Sequence, residues 1–147
     1  MTVKKLMLAL LVLAGACTTR TVASTPQPAS AGGATSPRAA ASAFLSAVRQ
    51  QDLGALGLVW GTATGPARNT MPTTELEMRG TVMMRFLRHE TAQVVDDSPA
   101  TGGQRLLRVE LTCGVNKGQT TLTAVPTAEG RWYILSADLE SARDLCR

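Results

Sequence analysis

The apolar residues of this 147-residue chain change their spacing half-way along the sequence. Between residues 37 and 50 they recur every three or four positions, which is the spacing of one face of an α-helix. Between residues 105 and 113 they alternate with polar residues, which is the spacing of a strand with one buried face. Helices followed by strands predict an α+β domain, with the N-terminal helices packed on a bent antiparallel sheet.

Two helices are predicted at the start of this domain. Ser36 is a suitable N-cap and Pro37 takes the first helical position, so the first helix is expected over residues 37–50. Asp52 can cap a second, short helix. Residues 61–72 are rich in turn formers and are expected to form a loop. The apolar residues of the second helix are Leu53, Leu56, Val59 and Trp60.

A third helix is predicted from the capping-box spacing of Thr74 and Glu77, and it is expected to end near His89. A cation suits the C-terminal end of a helix, so His89 is expected to be a solvated cap. The residues expected on the inner side of this helix are Met78, Val82, Met83, Phe86 and Leu87. The residues expected on a solvated, ion-paired face are Arg79, Arg85 and Arg88, with Glu75, Glu77 and Glu90.

The second half predicts an antiparallel meander of four strands. The strands are expected at residues 91–95, 105–113, 119–125 and 131–135. The turns between them are expected at Asp96-Asp97-Ser98-Pro99 with Gly102-Gly103, at Asn116-Lys117-Gly118, and at Ala128-Glu129-Gly130.

The N-terminus carries two lysines, an apolar run from Leu6 to Ala16, and then Cys17. The run covers 11 residues, whereas a membrane-spanning helix needs about 20. A basic start, a short apolar core and small residues before the cut are the features of a secretory signal. With a cysteine directly after Leu13-Ala14-Gly15-Ala16, the segment resembles the signal peptide and lipobox of bacterial lipoproteins. The alternative is an ordinary signal with an incidental cysteine.

The resemblance implies that the chain is cut before Cys17, whose thiol is lipidated, so that two or more acyl chains hold the protein on a membrane. It divides the chain into a signal peptide at 1–16, a lipidated cysteine with a disordered Thr/Ser/Ala/Pro tether at 17–37, and one domain at 38–147. In Gram-negative lipoproteins, an aspartate directly after the lipidated cysteine resembles an inner-membrane retention signal. Here that position is Thr18, which favours the outer membrane. An exported, membrane-anchored protein is expected, on the periplasmic side of the outer membrane if the source is Gram-negative.

The domain is almost neutral, although the whole chain has a net charge of +4. It contains all 11 acidic residues but only 12 of the 15 basic ones, because Lys4, Lys5 and Arg20 lie outside it. Its arginines are scattered and are not interleaved with aromatic residues. Binding to nucleic acid is therefore not expected.

Two cysteines remain in the domain once Cys17 is assigned to lipid. Disulfides persist in exported proteins, so Cys113 and Cys146 are expected to pair, with two free thiols as the alternative. The strands at 105–113 and 131–135 should run in the same direction and end at one edge of the sheet. The segment after them is long enough to return Cys146 to Cys113. With His89 as the only histidine, no metal site and no cofactor are expected.

Two stretches resemble NTF2-like (SnoaL/ketosteroid-isomerase-like) domains. They are Ala43-Phe44-Leu45-Ser46-Ala47 leading to Gln51-Asp52-Leu53-Gly54-Ala55-Leu56, and Gly130-Arg131-Trp132-Tyr133-Ile134. The resemblance covers about residues 38–140 and implies a cone whose mouth often holds a ligand or an active site. Another helix-on-sheet α+β fold is the alternative. Candidate residues for a ligand cavity in the cone, or else core anchors, are Trp60, Trp132 and Tyr133.

No catalytic motif accompanies this resemblance. The Tyr and Asp pattern of the related isomerases is missing, and no nucleophile or phosphate-binding signature occurs. We therefore expect a non-enzymatic, lipid-anchored envelope protein that binds a partner protein or a small ligand. One alternative is a small isomerase or hydratase with His89 or an aspartate as base. Another is a structural domain that forms homodimers through its sheet.

Overall fold

The computed structural model describes residues 32–147, which form an α+β domain with a four-stranded antiparallel sheet. The helices are α1 (Pro37–Gln50), α2 (Leu53–Val59), α3 (Ala67–Thr70) and α4 (Thr73–Phe86). The strands are β1 (Gly61–Thr62), β2 (Gly65–Pro66), β3 (Thr91–Pro99), β4 (Arg105–Cys113), β5 (Asn116–Pro126) and β6 (Trp132–Ala137). Two 3₁₀ turns are at Thr101–Gly103 and Glu140–Ala142.

The first two helices are capped by the side chains that the sequence predicts. Oγ of Ser36 accepts a hydrogen bond from the backbone N–H of Ala39 at 3.1 Å, and Pro37 begins α1. Oδ1 of Asp52 accepts one from the N–H of Ala55 at 2.9 Å and so starts α2. Both caps satisfy N–H groups that a helix leaves unpaired at its first turn. These two predictions are confirmed.

The predicted capping box of the third helix is wrong. Helix α4 begins at Thr73 after Pro72, and no side chain caps it. The buried face of α4 also differs from the predicted one, because Met78 and Val82 are 66% and 41% exposed. Helix α2 packs instead against Gly80, where a Cβ atom would overlap with Cδ1 of Leu53. The buried residues of α4 are Leu76, Gly80, Met83 and Met84.

The sheet has the order β3-β4-β5-β6, and every neighbouring pair is antiparallel. Strand β3 continues to Pro99, so the turn predicted at Asp96-Asp97-Ser98-Pro99 is wrong. A bulge between Val94 and Asp96 shifts the register. Oδ1 of Asp97 then accepts a hydrogen bond from Nε of Arg105 on β4 at 2.7 Å. This contact between strands stabilises an acidic segment that local preferences assign to a turn.

The turn between β4 and β5 is also displaced from its predicted position. Cys113 pairs directly with Asn116, so the turn consists of Gly114 and Val115. Gly114 has a φ of 58°, a conformation that glycine adopts without strain. The predicted turn residues 116–118 belong instead to β5.

One core lies between the helices and one face of the sheet. Helix α1 contacts β3, β4, β5 and β6, and its Phe44 is completely buried. The alternation predicted for β4 is confirmed, because Leu107, Val109 and Leu111 are all fully buried. Other large side chains with no exposed surface are Val48, Leu56, Leu87, Leu122 and Ile134.

The described part of the chain begins at the end of the domain where α1 starts. The guanidinium group of Arg131 donates hydrogen bonds to the carbonyl oxygen of Gly32, at 2.7 and 3.0 Å, and to that of Gly33, at 2.8 Å. Ala34 forms a β-bridge with Trp132 at the start of β6. The chain is thereby held against the domain at the N-terminal end of α1. The predicted signal peptide and lipidation site lie outside the described residues.

Candidate functional site

A groove lies at the opposite end of the domain, where α1 and α4 end. Its volume is about 1110 Å³, and it is bordered by the segment between α4 and β3, the end of β4 and the C-terminal tail. We call it the arginine groove. Its lining residues are Arg49, Gln51, Met84, Arg85, Phe86, Arg88, His89, Glu90, Cys113, Ala142, Arg143, Cys146 and Arg147.

A disulfide between Cys113 and Cys146 forms part of this groove. The Cα atoms of the two residues are 5.3 Å apart. The tail is also held by its side chains, since Leu145 is buried and its carbonyl oxygen accepts a hydrogen bond from Nδ2 of Asn116 at 3.0 Å. Sγ of Cys146 lies 3.2 Å from the carbonyl oxygen of Arg88. The disulfide therefore fixes the tail to β4, beside the segment that follows α4.

Positive charge dominates the lining of the groove, with five arginines and one glutamate. The two tail arginines are neutralised: Arg143 pairs with Glu140 at 3.0 Å, and Arg147 pairs with Asp144 at 2.9 Å. Within residues 32–147, the side chains of the other three form no ion pair and no hydrogen bond. These three, which we call the free arginines, are Arg49, Arg85 and Arg88.

Two helix ends stabilise this concentration of charge. Arg49 is in the last turn of α1, and Arg85 is in the last turn of α4. The unpaired carbonyl groups of a helix C-terminus carry partial negative charge, which favours nearby cations. The predicted ion-paired face of α4 is correct for Arg79, which binds Glu75 at 3.0 Å, but it is wrong for Arg85 and Arg88.

His89 is buried between the groove and β3 and is only 6% exposed, so its predicted role as a solvated helix cap is wrong. Helix α4 ends at Phe86, before His89. The chain then turns His89 inwards, where Nδ1 lies 2.7 Å from the carbonyl oxygen of Leu87. Because a carbonyl can only accept, Nδ1 carries the proton, and Nε2 is left as an acceptor. Every buried side-chain nitrogen and oxygen of the described residues has a partner, so Nε2 reaches solvent.

The pKa of His89 is lowered below the ordinary histidine value of 6.5. Burial is the main cause, and the positive charge of Arg49 acts in the same direction. The hydrogen bond to Leu87 opposes them and raises the pKa. His89, which lines the arginine groove, is therefore neutral at pH 7, with Nε2 as its unprotonated nitrogen.

This lowered pKa predicts a loss of stability on mild acidification. As the pH falls below about 6.5, the unfolded chain takes up a proton that folded His89 resists, so the free energy of unfolding decreases. Below the pKa of folded His89, both the folded and the unfolded chain carry the proton, so the free energy of unfolding no longer decreases. Urea unfolding measured from pH 7.5 to 5.0 should give this slope, and proton NMR of the only histidine should report its pKa directly.

A His89→Gln variant serves as the control, and its stability should be flat between pH 7.5 and 5.0. The carboxyl groups of Asp96 and Asp138 have pKa values lowered by hydrogen bonds from Ser98 and Ser141. Their contributions are lost only at lower pH, because even unfolded aspartates titrate near 3.8. An NMR midpoint at or above 6.5 would contradict the assignment.

The three residues predicted for a ligand cavity lie at a different place from the arginine groove. Trp60 borders a second groove of about 400 Å³ between α4 and β6, where Met78 and Val82 are exposed. The Cζ atom of Arg79 lies 5.1 Å from the centre of the Trp60 ring, a cation–π distance. Trp132 and Tyr133 lie on β6, and Tyr133 is buried.

The remaining chemical candidates are dispersed over the domain. Asp52 is a helix cap, and Asp97 binds Arg105 within the sheet. Within residues 32–147 no three His, Cys, Asp or Glu side chains come together as a metal-binding group. The grouping of the free arginines was not predicted, because Arg49 lies 36 residues before Arg85 and 39 before Arg88 and so gives no local signal. Their lack of ion pairs also depends on the fold.

Comparison with known proteins identifies no relative of this chain. No protein-family model, no curated protein and no solved structure matches the chain. Among residues 32–147, no helix has the length and apolar character needed to cross a membrane.

Proposed function

We propose that the chain is a bacterial lipoprotein, anchored to a membrane through Cys17, whose domain binds a partner protein or a small ligand without catalysing a reaction. The lipobox-like sequence Leu13-Ala14-Gly15-Ala16-Cys17 supports the anchor. The periplasmic side of the outer membrane is the proposed location if the source is Gram-negative. A pair of cysteines at bonding distance fits an exported protein.

An NTF2-like domain is part of this proposal. Its support is the helix pair α1 and α2 followed by a four-stranded antiparallel meander, with the helices on one face. Proteins of this fold often place a ligand between helices and sheet. The arginine groove opens at one end of that layer, where α1, α4 and β4 terminate.

The arginine groove is the observation that carries the binding function. Three free arginines around a concave surface leave positive charge that no group of the described chain neutralises. Arginine forms paired, directional hydrogen bonds with carboxylates and phosphates, so such a surface suits an anionic partner. The absence of a catalytic motif in the sequence favours binding over catalysis.

Photo-cross-linking in cells tests the binding function. A benzoylphenylalanine at Phe86, which lines the groove, should yield a specific adduct. The same residue at Thr64, an exposed position of the β1–β2 turn, should yield none. Combining the Phe86 probe with Arg88→Glu should abolish the adduct. Equal labelling from both positions, or no adduct at Phe86, would refute the proposal.

A small isomerase or hydratase is the second candidate, and one observation favours it. Neutral His89 has an accessible Nε2 whose orientation is fixed by Leu87, as a general base requires. The His89→Gln variant separates the two candidates. A binding protein should keep its Phe86 adduct with this variant, whereas an enzyme should lose turnover of the cross-linked ligand.

A further inference from the structure

The arginine groove carries more charge than a single carboxylate would need. A carboxylate has one negative charge, whereas a phosphate monoester carries about −1.5 to −2 at neutral pH. Arg49, Arg85 and Arg88 together supply three positive charges without partners among residues 32–147. Glu90, the one acidic side chain in the lining, accepts a hydrogen bond from the N–H of Gly114 at 3.0 Å. The charge balance therefore favours phosphate over a single carboxylate.

The size and the polarity of the groove agree with a ligand larger than phosphate itself. Its volume, about 1110 Å³, is that of a site for an extended organic or polymeric molecule. Guanidinium groups from two separate stretches of the chain can contact several oxygens of such a ligand. Because the free arginines have no ion pair among residues 32–147, an anion gains their interaction without displacing one.

The groove lies far from the point where the chain enters the described domain. The chain enters the described domain at Gly32, beside the N-terminal end of α1. Arg49 lies in the last turn of the same helix, and 14 helical residues span about 21 Å. A lipid anchor at Cys17 would therefore attach to the end of the domain opposite the groove.

From these observations we infer that the arginine groove binds a phosphate-bearing ligand of the aqueous compartment, rather than a headgroup of the membrane that anchors the protein. The inference rests on the proposed binding function and narrows it to one ligand chemistry. It assigns Arg85 and Arg88, which form no ion pair in the described chain, a direct role in binding.

Calorimetry with inorganic triphosphate tests the ligand chemistry. The full chain, extracted in a non-ionic detergent, should bind triphosphate and should bind citrate much more weakly. Arg85→Gln and Arg88→Gln should each weaken triphosphate binding by about tenfold, as expected for the loss of a charge-assisted hydrogen bond. Arg68→Gln is the matched control, because Arg68 is exposed, forms no ion pair and lies on α3, outside the groove. Its binding should equal that of the wild type.

The same titration in two nanodiscs tests the source of the phosphate. Triphosphate affinity should be equal in phosphatidylcholine and phosphatidylglycerol nanodiscs, because the groove lies at the end of the domain opposite the attachment of the anchor. A tenfold or greater loss of affinity in phosphatidylglycerol would show that anchoring lipids occupy the groove, and would overturn the inference. Equal binding of citrate and triphosphate, or equal binding by all three variants, would overturn it as well.

Failure of the inference can be separated from failure of the proposed function. A specific adduct at Phe86 together with no binding of triphosphate would refute the phosphate ligand and leave a binding domain. The absence of both the adduct and triphosphate binding would refute both proposals.

Discussion

Replacing both Cys113 and Cys146 by serine is expected to lower the free energy of unfolding by about 3–4 kcal/mol. The two residues are 33 positions apart in the sequence, and opening a loop of this length returns its entropy to the unfolded chain. For a domain of this size, the loss corresponds to a decrease in melting temperature of roughly 10–20 °C. Circular dichroism of the wild type and of the double variant measures it.

The disulfide is also expected to maintain the arginine groove. The tail that it fixes supplies Ala142, Arg143 and Arg147 to the groove wall. Contacts of Leu145 and Asn116 hold the tail in addition, so it should loosen rather than detach completely. Cross-linking from Phe86 should consequently weaken in the double variant at a temperature where the domain is still folded.

Reduction provides the control for the disulfide. Dithiothreitol should lower the melting temperature of the wild type to that of the double serine variant and should leave that variant unchanged. Alkylation of both thiols in the exported protein without prior reduction would contradict the pairing. So would equal melting temperatures of wild type and variant.

Replacing Cys17 by alanine is expected to have the largest effect on location, an almost complete transfer from membrane to aqueous phase. If the protein is a lipoprotein, its thiol carries the acyl chains, and each buried methylene contributes about 0.8 kcal/mol to membrane binding. Residues 18–31, largely Thr, Ser, Ala and Pro, offer no apolar segment to replace them. Labelling with radioactive palmitate measures the loss of the acyl chains, and detergent-phase partitioning measures the transfer to the aqueous phase.

The paired cysteines provide the matched control for Cys17→Ala. The variant with serine at Cys113 and Cys146 should keep both the palmitate label and its membrane location, because it retains the anchoring thiol. If Cys17→Ala kept the label, or if the mature wild type began at Cys17 without lipid, the lipoprotein proposal would be wrong. An unlipidated protein with this N-terminus would then be the product of an ordinary signal.

Local patterns predict most of the architecture of this domain. The caps at Ser36 and Asp52 are contacts between residues three positions apart, and alternation in β4 reflects the geometry of one strand. The order of helices and strands was predictable for the same reason. Cys113 and Cys146 were predictable partners because the number of strand reversals between them places both at one edge of the sheet.

Contacts between residues far apart in the sequence decided the features that local patterns did not predict. Arg105 holds Asp97 within β3 although aspartates favour turns, and Leu53 against Gly80 sets the buried face of α4. The backbone after α4 turns His89 inwards although a histidine suits a solvated helix end. In each case a neighbour from another element outweighs a preference of the residue itself.

The sequence by itself determined the near-neutral charge of residues 38–147, and it predicted the α+β class and the cysteine pair of the described domain. Only the tertiary structure decided that Arg49, Arg85 and Arg88 line one groove without acidic partners. The physical reason is that periodicity and capping act over a few residues. Electrostatic interactions instead depend on distances in space, which the packing of α1 and α4 on the sheet establishes.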